Sequence, residues 1–351
     1  MNKILLIAFF LLFSSIKTFA QDSVRTKKVK ILPVPTFGYS PETRTYVGAV
    51  ALFTLDFYND SNTRKSHAEL EISYTGNKQF ILESGWNYFF KDEKWFTKGL
   101  LHFSEYPDQY YGIGANTPEE HKTIYNSNRF LFEGHALKRI KNKLFAGPGL
   151  KYSNYWNVEP LALTQAFPEL ANGNTFGLGL SLLKDTRDNL ITPTDGFFLN
   201  INPVYNFSKD NYTELILDAR YYKTWKNKFT LATRFVNDLN FGKVPFYDLA
   251  YLGGDKFVRG FYYGRFRDNH LSSLQTEFRT PLIWRFGLAA FGGVSNLYSA
   301  TNTFGSETTK LNYGMGLRFM IDRKDKTNLR FDYAMGSGNN SGFYIAFGES
   351  F

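Results

Sequence analysis

Residues 67–76 read HAELEISYTG. In an extended backbone Ala68, Leu70, Ile72 and Tyr74 share one face, and His67, Glu69, Glu71 and Ser73 share the other. Side chains alternate along a strand with a period of two, so this stretch reads as a strand with one apolar and one polar face. The pattern recurs. Within 80–90, Phe80, Leu82, Trp86 and Tyr88 oppose Glu83, Gly85 and Asn87. Within 212–225, Leu215, Leu217, Ala219 and Tyr221 oppose Glu214, Asp218 and Arg220. Within 327–336, Leu329, Phe331, Tyr333 and Met335 oppose Arg330 and Asp332. No long stretch shows a clear helical period.

About sixteen such segments follow one another: 31–39, 45–58, 65–76, 79–90, 95–104, 126–140, 143–156, 173–186, 196–207, 211–225, 228–241, 270–281, 286–298, 310–321, 327–336 and 341–351. Strands of about ten residues suit a tilted ladder across a bilayer and exceed the usual globular length. The connections sort by length. The long ones, 105–125, 157–172, 242–269 and 299–309, all follow odd-numbered segments. Connections after even-numbered segments are short, as at 92–94, 141–142, 226–227, 281–285 and 322–326. Short periplasmic turns and long extracellular loops mark bacterial outer-membrane barrels. Backbone groups in lipid need partners, so the sheet has to close. The expected fold is all-β: a transmembrane antiparallel β-barrel of about sixteen strands, polar faces inward.

The 351 residues carry a net charge of +9, 18% aromatic residues and no cysteine. Residues 1–20 read as a secretory signal peptide, with Lys3, an apolar run over 4–13 and Thr18-Phe19-Ala20 before the cleavage point. Residues 21–30 form a short basic periplasmic segment holding Arg25, Lys27, Lys28 and Lys30, either a solvated tail or a point of attraction to anionic headgroups. Residues 31–351 are assigned to the barrel. The lack of cysteine excludes a disulfide scaffold, thiol catalysis and Cys-based metal sites. No nucleic-acid-binding motif accompanies the positive charge. There is no Gly-x-Ser-x-Gly, and His67, His102, His121, His135 and His270 show no His-x-x-x-His spacing. No enzyme, no metal and no cofactor are therefore expected.

One connection differs from the rest. Residues 252–267 read LGGDKFVRGFYYGRFR. Gly253, Gly254 and Gly260 permit positive φ, and Val258-Arg259-Gly260-Phe261 sets an arginine between apolar residues. LGGDKFVRGF resembles the sixth-loop motif of the bacterial surface antigen family, the family of BamA and TamA. KDTRDNLITPTDG at 184–196, with Asp185, Arg187 and Asp188, resembles that family's periplasmic turn, and PVPTFGYSPETRTYVG at 33–48 resembles its first hairpin. The resemblance spans nearly all of the chain after residue 20.

The resemblance implies a sixth extracellular loop folded back into the lumen, its arginine meeting carboxylates on the two strands that follow. Glu277 matches the first of these. In the next strand the family pattern is Phe-x-Asp-x-Gly, but 291–295 read FGGVS, so Gly293 replaces the aspartate and Ser295 the glycine. Arg259 is therefore expected to pair one-to-one with Glu277. Family members that insert or secrete proteins carry POTRA domains before the barrel. Here about ten residues separate Gln21 from the first segment, so a barrel-only member is expected, served by a separate periplasmic protein.

Pro33 and Pro35 lack N–H groups and weaken one edge of the first segment. Phe351, in line with Phe347, Ile345 and Phe343, is expected at the seam where the last segment meets the first, with Glu349 in the headgroup zone. The implied function is assistance of protein insertion, protein translocation or outer-membrane assembly through that seam. The implied partners are the lipid bilayer and unfolded outer-membrane proteins. The alternatives are a passive channel and a structural subunit of an envelope complex.

Overall fold

The alternating segments close on themselves. The computed structural model describes residues 28–58, 60, 62–162, 166–190, 192–226, 228–322 and 327–351. The expected signal peptide, residues 1–20, and most of the expected basic segment after it lie outside these residues. The strands are β1 (Lys28–Ser40), β2 (Arg44–Asp56), β3 (Ser66–Thr75), β4 (Phe80–Phe89), β5 (Trp95–Tyr110) and β6 (Thr123–Lys141). Next come β7 (Leu144–Ala162), β8 (Gly173–Asp185), β9 (Gly196–Phe207), β10 (Tyr212–Trp225), β11 (Phe229–Gly242), β12 (Ala250–Leu252) and β13 (Phe266–Asp268). The chain finishes with β14 (His270–Pro281), β15 (Phe286–Tyr298), β16 (Thr309–Asp322), β17 (Thr327–Gly336) and β18 (Asn340–Phe347).

Sixteen of them form one closed antiparallel barrel in chain order, and β18 returns to β1. The remaining two, β12 and β13, pair as a small ribbon inside the connection between β11 and β14. Three-residue strands carry too little alternation to be read from sequence. Among the described residues no helix is long and apolar enough to cross a membrane.

The faces follow the period of two. On β3, Leu70, Ile72 and Tyr74 are exposed, while Ser73 and Thr75 are buried. On β16, Tyr313, Met315 and Leu317 are exposed, while Asn312 and Arg318 are buried. Apolar side chains thus cover the outside and polar ones line the inside, the pattern of a barrel that faces lipid.

β5, β6 and β7 run past their expected ends, to 16, 19 and 19 residues. Tyr110, Tyr125 and Tyr155 are buried against Phe246 and Tyr247 of the connection after β11, and this aromatic cluster holds the long hairpins upright. At the opposite end, Phe89, Phe96, Leu137, Phe145 and Leu183 form a second apolar cluster inside the wall. The inside of this barrel is packed at both ends.

Candidate functional site

Residues 253–261 enter the barrel along a path that needs glycine. Gly253, Gly254 and Gly260 take φ of +120°, +93° and +103°, a region costly for residues with a Cβ. A Cβ on Gly260 would lie 2.8 Å from the carbonyl carbon of Met335 in β17. The backbone N–H of Gly260 donates to the Tyr344 hydroxyl of β18 at 2.9 Å. Val258 and Phe261 are buried in an apolar cluster with Leu252, Phe266, Leu271 and Leu297.

Arg259 is 3% exposed. Its guanidinium donates to Glu277 of β14 and to Asp332 of β17. It also stacks over the Phe291 ring of β15, 3.4 Å from the centroid. The expected one-to-one pairing is thus corrected: Arg259 has two carboxylates, and the second comes from β17. The physical reason is curvature. Inward side chains of neighbouring strands converge, so a carboxylate three barrel strands from β14 reaches the same guanidinium. At Gly293 the space is filled instead by Gln275, whose Nε2 lies 2.1 Å from where a Cβ would be. The alternation already places Asp332 inward, but no local signal gives its partner.

Three further arginines complete the cluster. Arg279 Nε donates to Glu277 at 2.7 Å and Arg318 Nη2 at 3.3 Å. Arg330 Nη1 donates to Asp332 at 2.9 Å and its Nη2 to Asp255 of the loop at 2.7 Å. Arg318 Nε donates to Glu349 at 2.8 Å. Glu349 is therefore not in the headgroup zone. β18 stops at Phe347, Gly348 turns with φ +75°, and the chain bends inward. Phe351 follows it. Phe351 packs on Tyr222 and Ala232, and its carbonyl accepts from Arg279 at 2.9 Å. It borders β10, β11 and β14, away from the seam where sequence reasoning placed it, because the turn at Gly348 breaks the alternation.

The loop also reaches the opposite wall. Asp248 accepts from Thr175 of β8 at 2.7 Å and from Tyr212 of β10 at 2.8 Å, and lies 3.7 Å from Lys151 of β7. The Tyr262 hydroxyl donates to Asp108 of β5 at 2.9 Å. The Tyr263 N–H donates to Glu42, in the turn between β1 and β2, at 2.7 Å. The backbone carbonyl of Lys256 accepts from Arg234 of β11 at 3.0 Å. One loop thus bridges the interior from side to side. Among the described residues, no group of His, Cys, Asp and Glu is arranged to hold a metal ion.

The seam between β1 and β18 is thin. β1 pairs with β2 over thirteen positions, from Lys28↔Asp56 to Ser40↔Arg44, but with β18 only at Tyr39↔Ile345. The direction of the proline nitrogens follows from the register. The carbonyl of Thr45 accepts from Gly76, so Thr45 points toward β3 and its partner Tyr39 points toward β18. Alternate residues point the same way, so Pro35 and Pro33 also face β18, each without a donor. Contacts between aromatic rings close the outside, Phe37 with Phe347 and Tyr39 with Phe343, both at 6.0 Å.

The turn after β8 satisfies itself. Arg187 forms a two-pronged pair with Asp185 at 2.9 and 3.0 Å and lies over Phe198. Asp188 accepts from the N–H groups of Thr194 and Asp195. Burial raises the carboxyl of Asp188, but bonds from Thr194 outweigh it and hold it below the ordinary range. These charges are consumed within the turn.

A closed sixteen-strand barrel with an apolar exterior and a packed, charged interior is a protein of the bacterial outer membrane. The model of the Omp85 superfamily domain matches residues 61–351, and the chain belongs to that superfamily. Three solved structures share the fold. BamA from Haemophilus ducreyi lacking POTRA domains 1–3 is 14% identical, with TM-score 0.60, over 92% of this chain and 70% of that one. CdiB from Acinetobacter baumannii is 13% identical, with TM-score 0.55, over 91% and 65%. CdiB from Escherichia coli is 10% identical, with TM-score 0.57, over 92% and 67%. This chain thus spans 65–70% of the length of those chains. No curated protein matches it.

Proposed function

We propose that this protein assists the insertion or translocation of other proteins at the outer membrane, without enzymatic chemistry or a cofactor, by opening the seam between β1 and β18. The observation that supports this most directly is the contrast between wall and interior. The interior is crossed by the loop and packed at both ends. The wall has one thinly paired joint, Tyr39↔Ile345, flanked by two prolines that face it. A device of this kind offers an unfolded strand an edge rather than offering a solute a pore. Its partners would be lipid, unfolded outer-membrane proteins and a separate periplasmic protein in the role of POTRA domains.

The test is reconstitution in liposomes with an unfolded barrel substrate. The protein should speed substrate folding. A disulfide between Y39C and I345C should abolish the effect, and reductant should restore it; the chain has no other cysteine to confuse the result. No acceleration over empty liposomes would overturn the reading. A large, steady single-channel conductance would favour a passive channel instead.

A further inference from the structure

The end of the barrel with short connections carries a dense group of cations that neither the loop nor the seam uses. Residues 138–143 read KRIKNK, with no acid. They form the end of β6 and a two-residue turn into β7. Leu137 and Phe145 are buried inside the barrel, so the period of two points Lys138 and Ile140 outward. Ile140 is 65% exposed. Lys138 pairs in register with Trp95 of β5, and its ammonium lies 6.0 Å from the centre of that exposed ring. On the other side, Leu144 pairs with Lys184 of β8, whose ammonium donates to the carbonyl of Asn142 at 2.6 Å. Among the described residues, no carboxylate lies within 4.0 Å of Lys138, Lys141, Lys143 or Lys184 in an ion pair.

We infer that this rim, formed by Trp95, Lys138, Ile140, Lys141, Lys143 and Lys184, binds the phosphate headgroups of anionic phospholipid in the periplasmic leaflet. Three observations favour lipid over an acidic protein. Lys138 shares its outward face with the Trp95 indole and the exposed Ile140, and Lys141 and Lys143 follow directly at the exposed turn. That face continues without a break into the lipid-facing wall at Phe132 and Phe130. The short turns mark this end as periplasmic. Lysine stems lie along apolar surface while their ammonium groups reach phosphate, and indole rings settle at the same depth.

The test uses the full chain in detergent micelles, with lipid bound per protein counted by native mass spectrometry. Phosphatidylglycerol should be retained in preference to phosphatidylcholine, and raised salt should weaken the preference. The variant K138Q/K141Q/K143Q should lose it more than tenfold, at roughly fivefold for each cation near an anionic surface. Its unchanged heat-modifiable gel mobility would show that the barrel is intact. Brominated phosphatidylglycerol should quench the fluorescence assigned to Trp95 by difference from W95F. Equal retention of phosphatidylglycerol by variant and parent would overturn the inference. So would a preference for lipid A over phosphatidylglycerol, or binding of polyglutamate without any selectivity for anionic lipid.

Discussion

The guanidinium of Arg259 meets the carboxylate of Asp332, a residue 73 positions further along the chain. That contact joins the loop to β17, next to the last strand, and so ties the interior to the strand beside the seam. Tyr344 of β18 accepts the N–H of Gly260 on the same loop, and Glu42, in the turn that follows β1, accepts that of Tyr263. Both sides of the thinnest joint in the wall are fastened to one segment.

The buried cluster predicts an order of effects. If Arg259→Met is made, Glu277 keeps Arg279 and Arg318, and Asp332 keeps Arg318 and Arg330. If Glu277→Gln or Asp332→Asn is made, three buried arginines lose a partner at once and keep only their remaining carboxylates: Arg259 the other of the two acids, Arg279 and Arg318 Glu349, and Arg330 Asp255. Each carboxylate change should cost about 3–5 kcal/mol, and the arginine change less. Thermal unfolding followed by gel mobility will rank them. A larger loss from the arginine change than from either acid would refute the shared network.

Gly260→Ala should be destabilising by about 1–3 kcal/mol, since it adds left-handed strain and meets the β17 backbone. Proteolysis at the loop reports whether it has left the interior, and a variant as resistant as the parent would contradict the tight fit.

The seam should open before the rest of the wall. Amide exchange in β18 is expected to be faster than in β6 and β7, which pair along nearly their whole lengths. Protection of Ile345 equal to that of the β6–β7 hairpin would exclude a weak joint.

Glu42 gives the loop a pH dependence. Burial pushes its carboxyl from 4.5 up to about 7, although bonds from Ser40 and from the Tyr263 N–H favour the ionised form. The protonated form is thus the one the folded state prefers. Its stabilisation is complete below about pH 4.5, falls as pH rises and is gone above about 7. Exchange of the Tyr263 amide, corrected for its intrinsic rate, should speed up across that window. Glu42→Gln should flatten the profile; a profile that keeps its slope in that variant would assign the titration to another group.

The sequence by itself determined the barrel. Alternation in segments such as 67–76 and the sorting of long and short connections depend on local chemistry, because a strand facing lipid and lumen must alternate whatever its neighbours are. It also marked the glycines and the arginine of the loop, since positive φ is a local demand. Tertiary structure alone decided what the arginine meets. Gly293 leaves no carboxylate on β15, and Asp332 supplies one from β17 only because the closed, curved wall brings inward side chains together. The same holds for Glu349 and Phe351. Their alternation predicts a strand that continues outward, and the turn at Gly348 instead carries them to Arg318 and Arg279. Contacts across a lumen join residues far apart in the chain, and no period in the sequence encodes them.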